Sequence, residues 1–312
     1  MVRNFLFTLF VSFLLISCGS GGQDGNQRVR IDGSSTVYPL TEAVAEEFRT
    51  AQPGIRVTVG TSGTGAGFTK FARGETDITN ASRTIRPEEV EALETNNLEY
   101  KQVTVALDGI AVVVHPENDW IENITVEELR EIWESGSEVQ QWSDIRDGWP
   151  DEEIHLYGPN TAHGTYDFFT EAITGESGNS RTDYNAVADY NVAVQGISTD
   201  VYSLGYFGLA YYEENSDQLK LLGVDNSSGP IEPSLETVKD GSYAPLSRSL
   251  YIYVAKSSAE RESVQTFVNF YLENAGALAS EIGYVPLPNE EYESEKEEFA
   301  AFAEGSGAET EE

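Results

Sequence analysis

The sequence predicts an α/β fold, and three observations carry that reading. Short apolar runs alternate with segments of helical period, the pattern of strands handing on to helices. Two runs, Val103 to Val105 and Ile110 to Val114, are apolar at successive positions, as in strands covered on both faces. Hydrophobic residues make up 39% of the 312, and aromatics 11%, enough for a sizeable core. A chain of this length divides into about two domains.

The elements follow in order. Val29 to Ile31 reads as a strand and Tyr38 to Phe48 as a helix. Arg56 to Val59 is the next strand, and Phe68 to Arg73 starts the next helix. The segment Asp77 to Arg83 ends a strand, and Pro87 to Leu93 is helical. Beyond the two apolar runs, Thr125 to Trp133 carries its own start signal: Thr125 as N-cap and Glu128 as its capping-box partner. Ile154 to Tyr157 is a strand and Tyr166 to Ala172 a helix. The glutamate-dense stretch Glu290 to Glu312 is expected to form a short helix and then a solvated tail. The four tryptophans, Trp120, Trp133, Trp142 and Trp149, lie in the middle of the chain, where packing explains them better than ligand stacking.

The N-terminus reads as an address. Arg3 precedes the almost wholly apolar run Phe5 to Ile16. That run is too short to span a bilayer, which takes about 20 residues, and it fits a secretory signal. Leu15-Ile16-Ser17-Cys18, followed by Gly19-Ser20-Gly21-Gly22, resembles a bacterial lipobox, where the signal is cut before a cysteine that becomes lipidated. Cys18 is the chain's single cysteine. Residues 1–17 are therefore read as a signal peptide and 18–27 as a lipidated, flexible tether. The mature protein is expected outside the cytoplasm, in the periplasm or at the cell surface, held to a bacterial membrane by its lipid anchor only.

Composition excludes several classes. With 53 Asp+Glu against 19 Lys+Arg, the net charge is −34, which rules out a nucleic-acid partner because phosphate backbones are gripped by clustered cations. The charge is spread along the chain and suits concentrated salt, where screening removes self-repulsion, so a halophilic or halotolerant protein is expected, with an ordinary acidic extracytoplasmic protein as the alternative. One cysteine excludes a disulfide framework and a cysteine-based zinc cluster. His115, His155 and His163 are scattered with no HExxH, so no metal is expected, and nothing calls for a cofactor.

Three segments share one design. Gly33-Ser34-Ser35-Thr36-Val37, Gly60 to Gly67 and Asn160 to Thr165 each follow a strand and open a helix. Hydroxyls and free backbone N–H groups gathered at a helix N-terminus make an anion site, though Ser and Thr are also ordinary N-caps. None of the three is a nucleotide motif, since GxxxxGK[ST] and the GxGxxG spacing are absent. No serine sits in a GxSxG elbow or beside an identifiable base, so a binding protein is expected and not an enzyme. Arg83, at the end of Asp77-Ile78-Thr79-Asn80-Ala81-Ser82-Arg83, offers a bidentate fork to an oxyanion; its ordinary alternative is a surface ion pair.

Together the segments resemble the phosphate-binding protein of the high-affinity phosphate ABC importer. The matching pieces are DGSSTVYPL at Asp32, VGTSGTGAGF at Val59, DITNASRTIRP at Asp77 and LDGIAVVVHPENDW at Leu107. Further pieces are LYGPNTAHGTYDFF at Leu156, VQGISTDVYSLGYFGLAYY at Val194 and YAPLSRSLYIYV at Tyr243. The resemblance implies a type II periplasmic-binding-protein fold with two lobes joined by two crossing strands and a ligand clamped between. Carried over, lobe 1 is 28–107 plus 250–300, lobe 2 is 108–249, and 301–312 is an acidic tail. The crossings fall at Leu107 to Val114 and Leu246 to Val254.

The resemblance also implies site residues. Thr36 and the Val37 amide match the first contact loop, with Ser35 adjacent, and Ser62 matches the second. Gly164 and Thr165 match the last two members of a Ser-Gly-Thr triplet, while His163 replaces its serine. Members commonly place an arginine four residues before that serine, where this chain has Pro159, and an acid where it has Arg83. The ligand implied is inorganic phosphate and the partner a membrane permease, with a monomeric receptor between them. Phosphate keeps a proton at neutral pH and sulfate does not, so a specific site needs an acceptor. Asp108 is the first candidate, with turn capping as its ordinary alternative, and neutral His163 is the second. The rival readings are a receptor for another oxyanion (sulfate, molybdate or arsenate) and a non-transport surface scaffold.

Overall fold

A computed structural model describes residues 27–161 and 163–305. The signal, the lipobox with Cys18 and the chain beyond residue 305 lie outside the described residues. The first lobe starts β1 (Arg28–Gly33), α1 (Tyr38–Ala51), β2 (Arg56–Val59), α2 (Thr64–Ala72), β3 (Ile78–Ala81) and α3 (Pro87–Thr95). β4 (Tyr100–Val114) leads into the second lobe. There β5 (Asn123–Thr125), α4 (Val126–Trp133), β6 (His155–Pro159), α5 (Gly164–Thr174), β7 (Asn185–Val187) and α6 (Tyr190–Thr199) follow. β8 (Ser203–Gly208), α7 (Leu209–Glu214), the short β9 (Lys220–Leu221), β10 (Gly223–Asp225) and β11 (Pro230–Ile231), and α8 (Leu235–Lys239) complete it. β12 (Ser247–Ala255) returns, followed by α9 (Lys256–Ala259), α10 (Glu262–Ile282) and α11 (Asn289–Glu304).

The strands form one curled mixed sheet in the order β2-β1-β3-β12-β4-β8-β6-β7, with β9 paired to β4. β1 pairs in parallel with β2 and β3, and β6 in parallel with β7 and β8. β4 is the shared element: its first part pairs with β12 and its second with β8. The α/β expectation therefore holds, with two lobes built on the two halves of the sheet. A three-stranded sheet, β11-β10-β5, sits apart.

Burial explains the patterns. β1 alternates, with Val29 and Ile31 inward and Arg28 and Arg30 outward, whereas β3 and β8 are buried at every position because helices cover both faces. The capping box at Thr125 forms: its hydroxyl accepts from the Glu128 amide at 3.1 Å, and the Glu128 carboxylate accepts from the Thr125 amide at 2.8 Å. Trp133 and Trp142 are buried, Trp133 against Phe169, Tyr184 and Tyr206, and Trp142 against Trp120 and Trp149.

Three elements differ from the sequence expectation. The two apolar runs near residue 108 are one strand, β4. Asp108 and Gly109, between the two runs, stay extended because they pair with Arg248 and Ser247 of β12, and a Cβ on Gly109 would lie 2.8 Å from Val238. α2 begins at Thr64, not Phe68, because Gly67 is a packing residue: a Cβ there would meet the Gly33 Cα at 2.6 Å. The C-terminal segment forms a 16-residue helix with Tyr292, Phe299 and Ala303 buried, longer than the short helix expected. Among the described residues no helix is long and apolar enough to cross a membrane.

Candidate anion-binding site

A cavity of about 400 Å³ opens between the lobes. Its first-lobe wall is made by the turns that follow β1, β2 and β3, parallel strands whose carboxyl ends face the same way, the usual place for a ligand in an open α/β sheet.

The first turn depends on Gly33, whose φ of +137° suits only glycine and whose Cα lies so near β3 that a Cβ would stand 2.2 Å from the Asn80 carbonyl oxygen. This turn presents Ser34, Ser35 and Thr36 to the cavity. Thr36 is held from two sides: Tyr284 Oη donates to its carbonyl at 2.6 Å, and Arg248 Nη2 donates to its Oγ1 at 2.8 Å. Val37 sends its side chain into the core, and its amide lies 3.4 Å from Ser34 Oγ. The second turn presents Gly63, Thr64 and Gly65 at the N-terminus of α2, and the third presents Ser82 and Arg83. Thr64 Oγ1 accepts from the Ser82 amide at 3.3 Å, tying these two turns together.

Ser62 stands outside the cavity wall. Its hydroxyl and amide donate to Asp32 Oδ1 at 2.7 and 3.0 Å, and Lys70 pairs with Asp32 Oδ2 at 2.5 Å. Burial pushes the Asp32 carboxyl up, but Lys70, Ser62 and the Gly33 amide outweigh it and hold the group below the usual carboxylate range. Asp32 thus staples the second turn, and Thr64 is the hydroxyl that faces the cleft.

Three arginines, Arg83, Arg86 and Arg248, line the cavity. Arg83 lines the cavity while forking onto Glu89 at 2.7 and 2.8 Å. The hydrogen bonds to Glu89 hold Arg83 above its ordinary value; burial raises Glu89, but the arginine outweighs it and keeps that carboxylate low. Arg248, from β12, had no part in the expected site. It lines the cavity, lies 3.7 Å over the ring of Phe168 and donates Nε to Asp108 Oδ2 at 3.2 Å. One side chain therefore touches the first-lobe turn, the crossing strand and α5. Its signal in the sequence was a cation in Pro245-Leu246-Ser247-Arg248, at the head of an otherwise apolar strand.

Asp108 lies behind Arg248. It is fully buried, is absent from the cavity wall, and has no hydrogen-bond partner for Oδ1 among the described residues. Burial raises its carboxyl above the usual range, more than Arg248 can offset. On the second lobe, α5 opens at Gly164, whose Cβ position is 3.4 Å from the Thr36 Cα, so the two helix openings meet. Thr165 is buried, and His163 lies with Nε2 3.2 Å from the Ala188 carbonyl, which can only accept, and its ring 5.0 Å from Tyr190. His163, Gly164 and Thr165 stand beside the cavity; the residues of α5 that line it are Asp167, Phe168 and Glu171. Among the described residues no cluster of His, Cys, Asp and Glu could hold a metal ion.

Helix openings, hydroxyls and arginines gathered in a cleft between two lobes define a receptor for a small anionic solute. A family model described as a PBP superfamily domain matches residues 19–275. Protein SphX of Synechocystis is 47% identical over 277 residues, which cover 88% of this chain and 82% of that protein. The phosphate-binding protein PstS of Staphylococcus saprophyticus is 42% identical, covering 90% and 88% of the two chains. A solved structure of a possible phosphate binding protein from Planctomyces limnophilus superposes with a TM-score of 0.84 at 42% identity, over 88% of this chain and 98% of that one. The chain belongs to the PBP superfamily and, within it, to the PstS-like proteins.

Proposed function

We propose that this chain is an extracytoplasmic receptor that captures inorganic phosphate between its lobes and hands it to the membrane permease of an ABC importer. The observation that supports it best is the cleft itself, where two helix openings, the hydroxyls of Ser35, Thr36 and Thr64 and the guanidinium groups of Arg83 and Arg248 meet around one cavity. The names of the relatives point the same way. In this reading the lobes are 28–107 plus 250–300 and 108–249, the receptor is a monomer tethered through lipidated Cys18, and it performs no chemistry on its ligand.

Binding would work by exchange of hydration for directed donors. Each hydrogen bond to a charged oxygen contributes about 1.5–3 kcal/mol, so a handful gives about micromolar affinity or better after the cost of closing the lobes. Closure about the crossing strands β4 and β12 would bring Val37, Gly164 and Thr165 nearer the ligand.

The test is calorimetric titration of the chain starting after Cys18, stripped of ligand, with phosphate and then sulfate in high salt. Tight phosphate binding with sulfate silent is the expected result. Sulfate bound equally well would turn the assignment to another oxyanion, and no binding of either by folded protein would favour a scaffold.

A further inference from the structure

The two lips of the cleft carry opposite charge. Arg83 and Arg86 line the cavity from the first lobe, and Asp167 and Glu171, one turn apart on α5, line it from the second. One member of each set is already engaged. Arg83 forks onto Glu89, and Asp167 Oδ1 accepts from Ser177 Oγ at 3.2 Å. Arg86 and Glu171 are exposed, and neither side chain has an ion pair among the described residues. With 53 acids for 19 cations, an arginine left without a partner stands out, and the acid left without one across the cleft is Glu171.

Both residues stand on fixed supports. The Arg86 amide donates to Glu89 Oε2 at 2.9 Å, and Pro87 opens α3 directly after it. α5 is held near the crossing strands: the Cβ position of Gly164 is 3.4 Å from the Thr36 Cα, and Phe168 lies under the Arg248 guanidinium at 3.7 Å. Glu171 comes seven residues after Gly164, about 10 Å further along the helix axis, where its side chain is exposed. Rotation of the lobes about β4 and β12 moves residues near the crossing least and those at the lips most, so closure carries Glu171 towards Arg86. A second anion held among the three arginines is the other use such a wall could have, but the acids opposite repel it.

We infer that Arg86 and Glu171 form an ion pair between the lobes when the cleft closes, a latch that holds the captured anion in place. The inference rests on the reading of the cleft as a phosphate site that closes. Both are positioning residues: neither has to touch the ligand, and the pair lowers the apparent dissociation constant by raising the share of receptor that is closed.

The experiment measures phosphate affinity by calorimetry and phosphate release by stopped-flow mixing in the full chain, in Arg86→Gln, in Glu171→Gln and in the charge-exchanged double variant Arg86→Glu, Glu171→Arg. Salt is held at about 0.1 M, where a screening length of about 10 Å leaves the pair its attraction, and circular dichroism verifies folding. Glu171→Gln decides by sign. Taking a negative charge out of an anion cleft should, through the field alone, tighten binding and speed capture. The latch requires the opposite: affinity falls about two- to fivefold through faster release, the worth of an ion pair at an exposed rim. Arg86→Gln is expected to speed release by the same factor, and the exchanged pair to bring release back to within about twofold of the unaltered rate. Should Glu171→Gln fail to fold, Glu171→Ala carries the same expectation. Phosphate bound as tightly or more tightly by the glutamate variant overturns the latch and leaves the phosphate reading standing. An exchanged pair that releases as fast as the single variants overturns it too, and binding of no anion by the unaltered protein overturns both readings together.

Discussion

Arg248 joins three parts of the molecule through one guanidinium: Thr36 on the first-lobe turn, Asp108 on the crossing strand and Phe168 on α5. Arg248→Met keeps the apolar stem on Phe168 and removes the charge. Phosphate affinity is expected to fall about 10- to 100-fold, the worth of one or two charge-assisted bonds, measurable by calorimetry. The same variant should lose about 3 kcal/mol of stability at neutral pH, since it strands a buried carboxylate. The sign with pH follows from Asp108, whose carboxyl already sits above the usual range and rises further without Arg248. A raised carboxyl destabilises the fold when ionised, so the variant should regain stability as pH falls through that raised value, seen in urea unfolding across the acid range. A second pair separates motif from geometry. Ser62→Ala, whose hydroxyl serves Asp32, should cost stability with little loss of phosphate affinity, whereas Thr64→Ala should weaken binding. The reverse order would mean that Ser62 turns into the cleft.

At the scale of elements, the crossing carries an irregularity that the C-terminal helix repairs. Pairing of β12 with β4 shifts between Leu250 and Tyr251, so Val105 is an extra residue in the ladder. α11 satisfies the groups this frees: Tyr292 Oη donates to the Val105 carbonyl at 2.9 Å, and Glu295 Oε1 accepts from the Thr104 amide at 3.0 Å. Segments distant in sequence therefore share one hydrogen-bond account, and the glutamate-rich end is structural at least through its buried face. Tyr292→Phe leaves the Val105 carbonyl and the Leu287 amide without that hydroxyl and should cost about 1–3 kcal/mol in urea unfolding. An unchanged midpoint would show that α11 is dispensable to the crossing. Capping was legible in advance at Thr125, because a capping box is local in sequence; the bulge was not, because it exists only between two strands.

Over the whole molecule the controlling quantity is the net charge of −34. Many carboxylates find local partners, such as Asp77 between Arg30 and Arg261 and Glu128 with Arg146, but 19 cations cannot pair 53 acids. The remainder repel one another, and an anionic ligand must approach through their field. Raising salt from about 0.1 M, where the screening length is about 10 Å, towards about 1 M, where it is about 3 Å, should raise the melting temperature and speed phosphate capture. Thermal scans and stopped-flow mixing at both salts check this, and a melting temperature that is flat or falls with salt would remove the argument for a brine-adapted surface.

Legible along the chain were the α/β alternation, the Gly/Ser/Thr-rich segments Gly33 to Val37, Gly60 to Gly67 and Asn160 to Thr165 that lie between a strand and a helix, and the segment that ends in Ser82-Arg83. These are properties of neighbours along the chain: a strand ends, a glycine turns it, and hydroxyls follow. Tertiary structure alone decided which side chains share the cavity. It put Thr64 rather than Ser62 on the wall, because Asp32 reaches across from β1 to hold the serine. It brought Arg248 to Thr36, 212 residues away in sequence, because β12 lies between β3 and β4 in the sheet. It also set Asp108 behind that arginine, off the cavity wall. Which donor meets which acceptor depends on strand order and on burial, and neither is written in the spacing of residues along the chain.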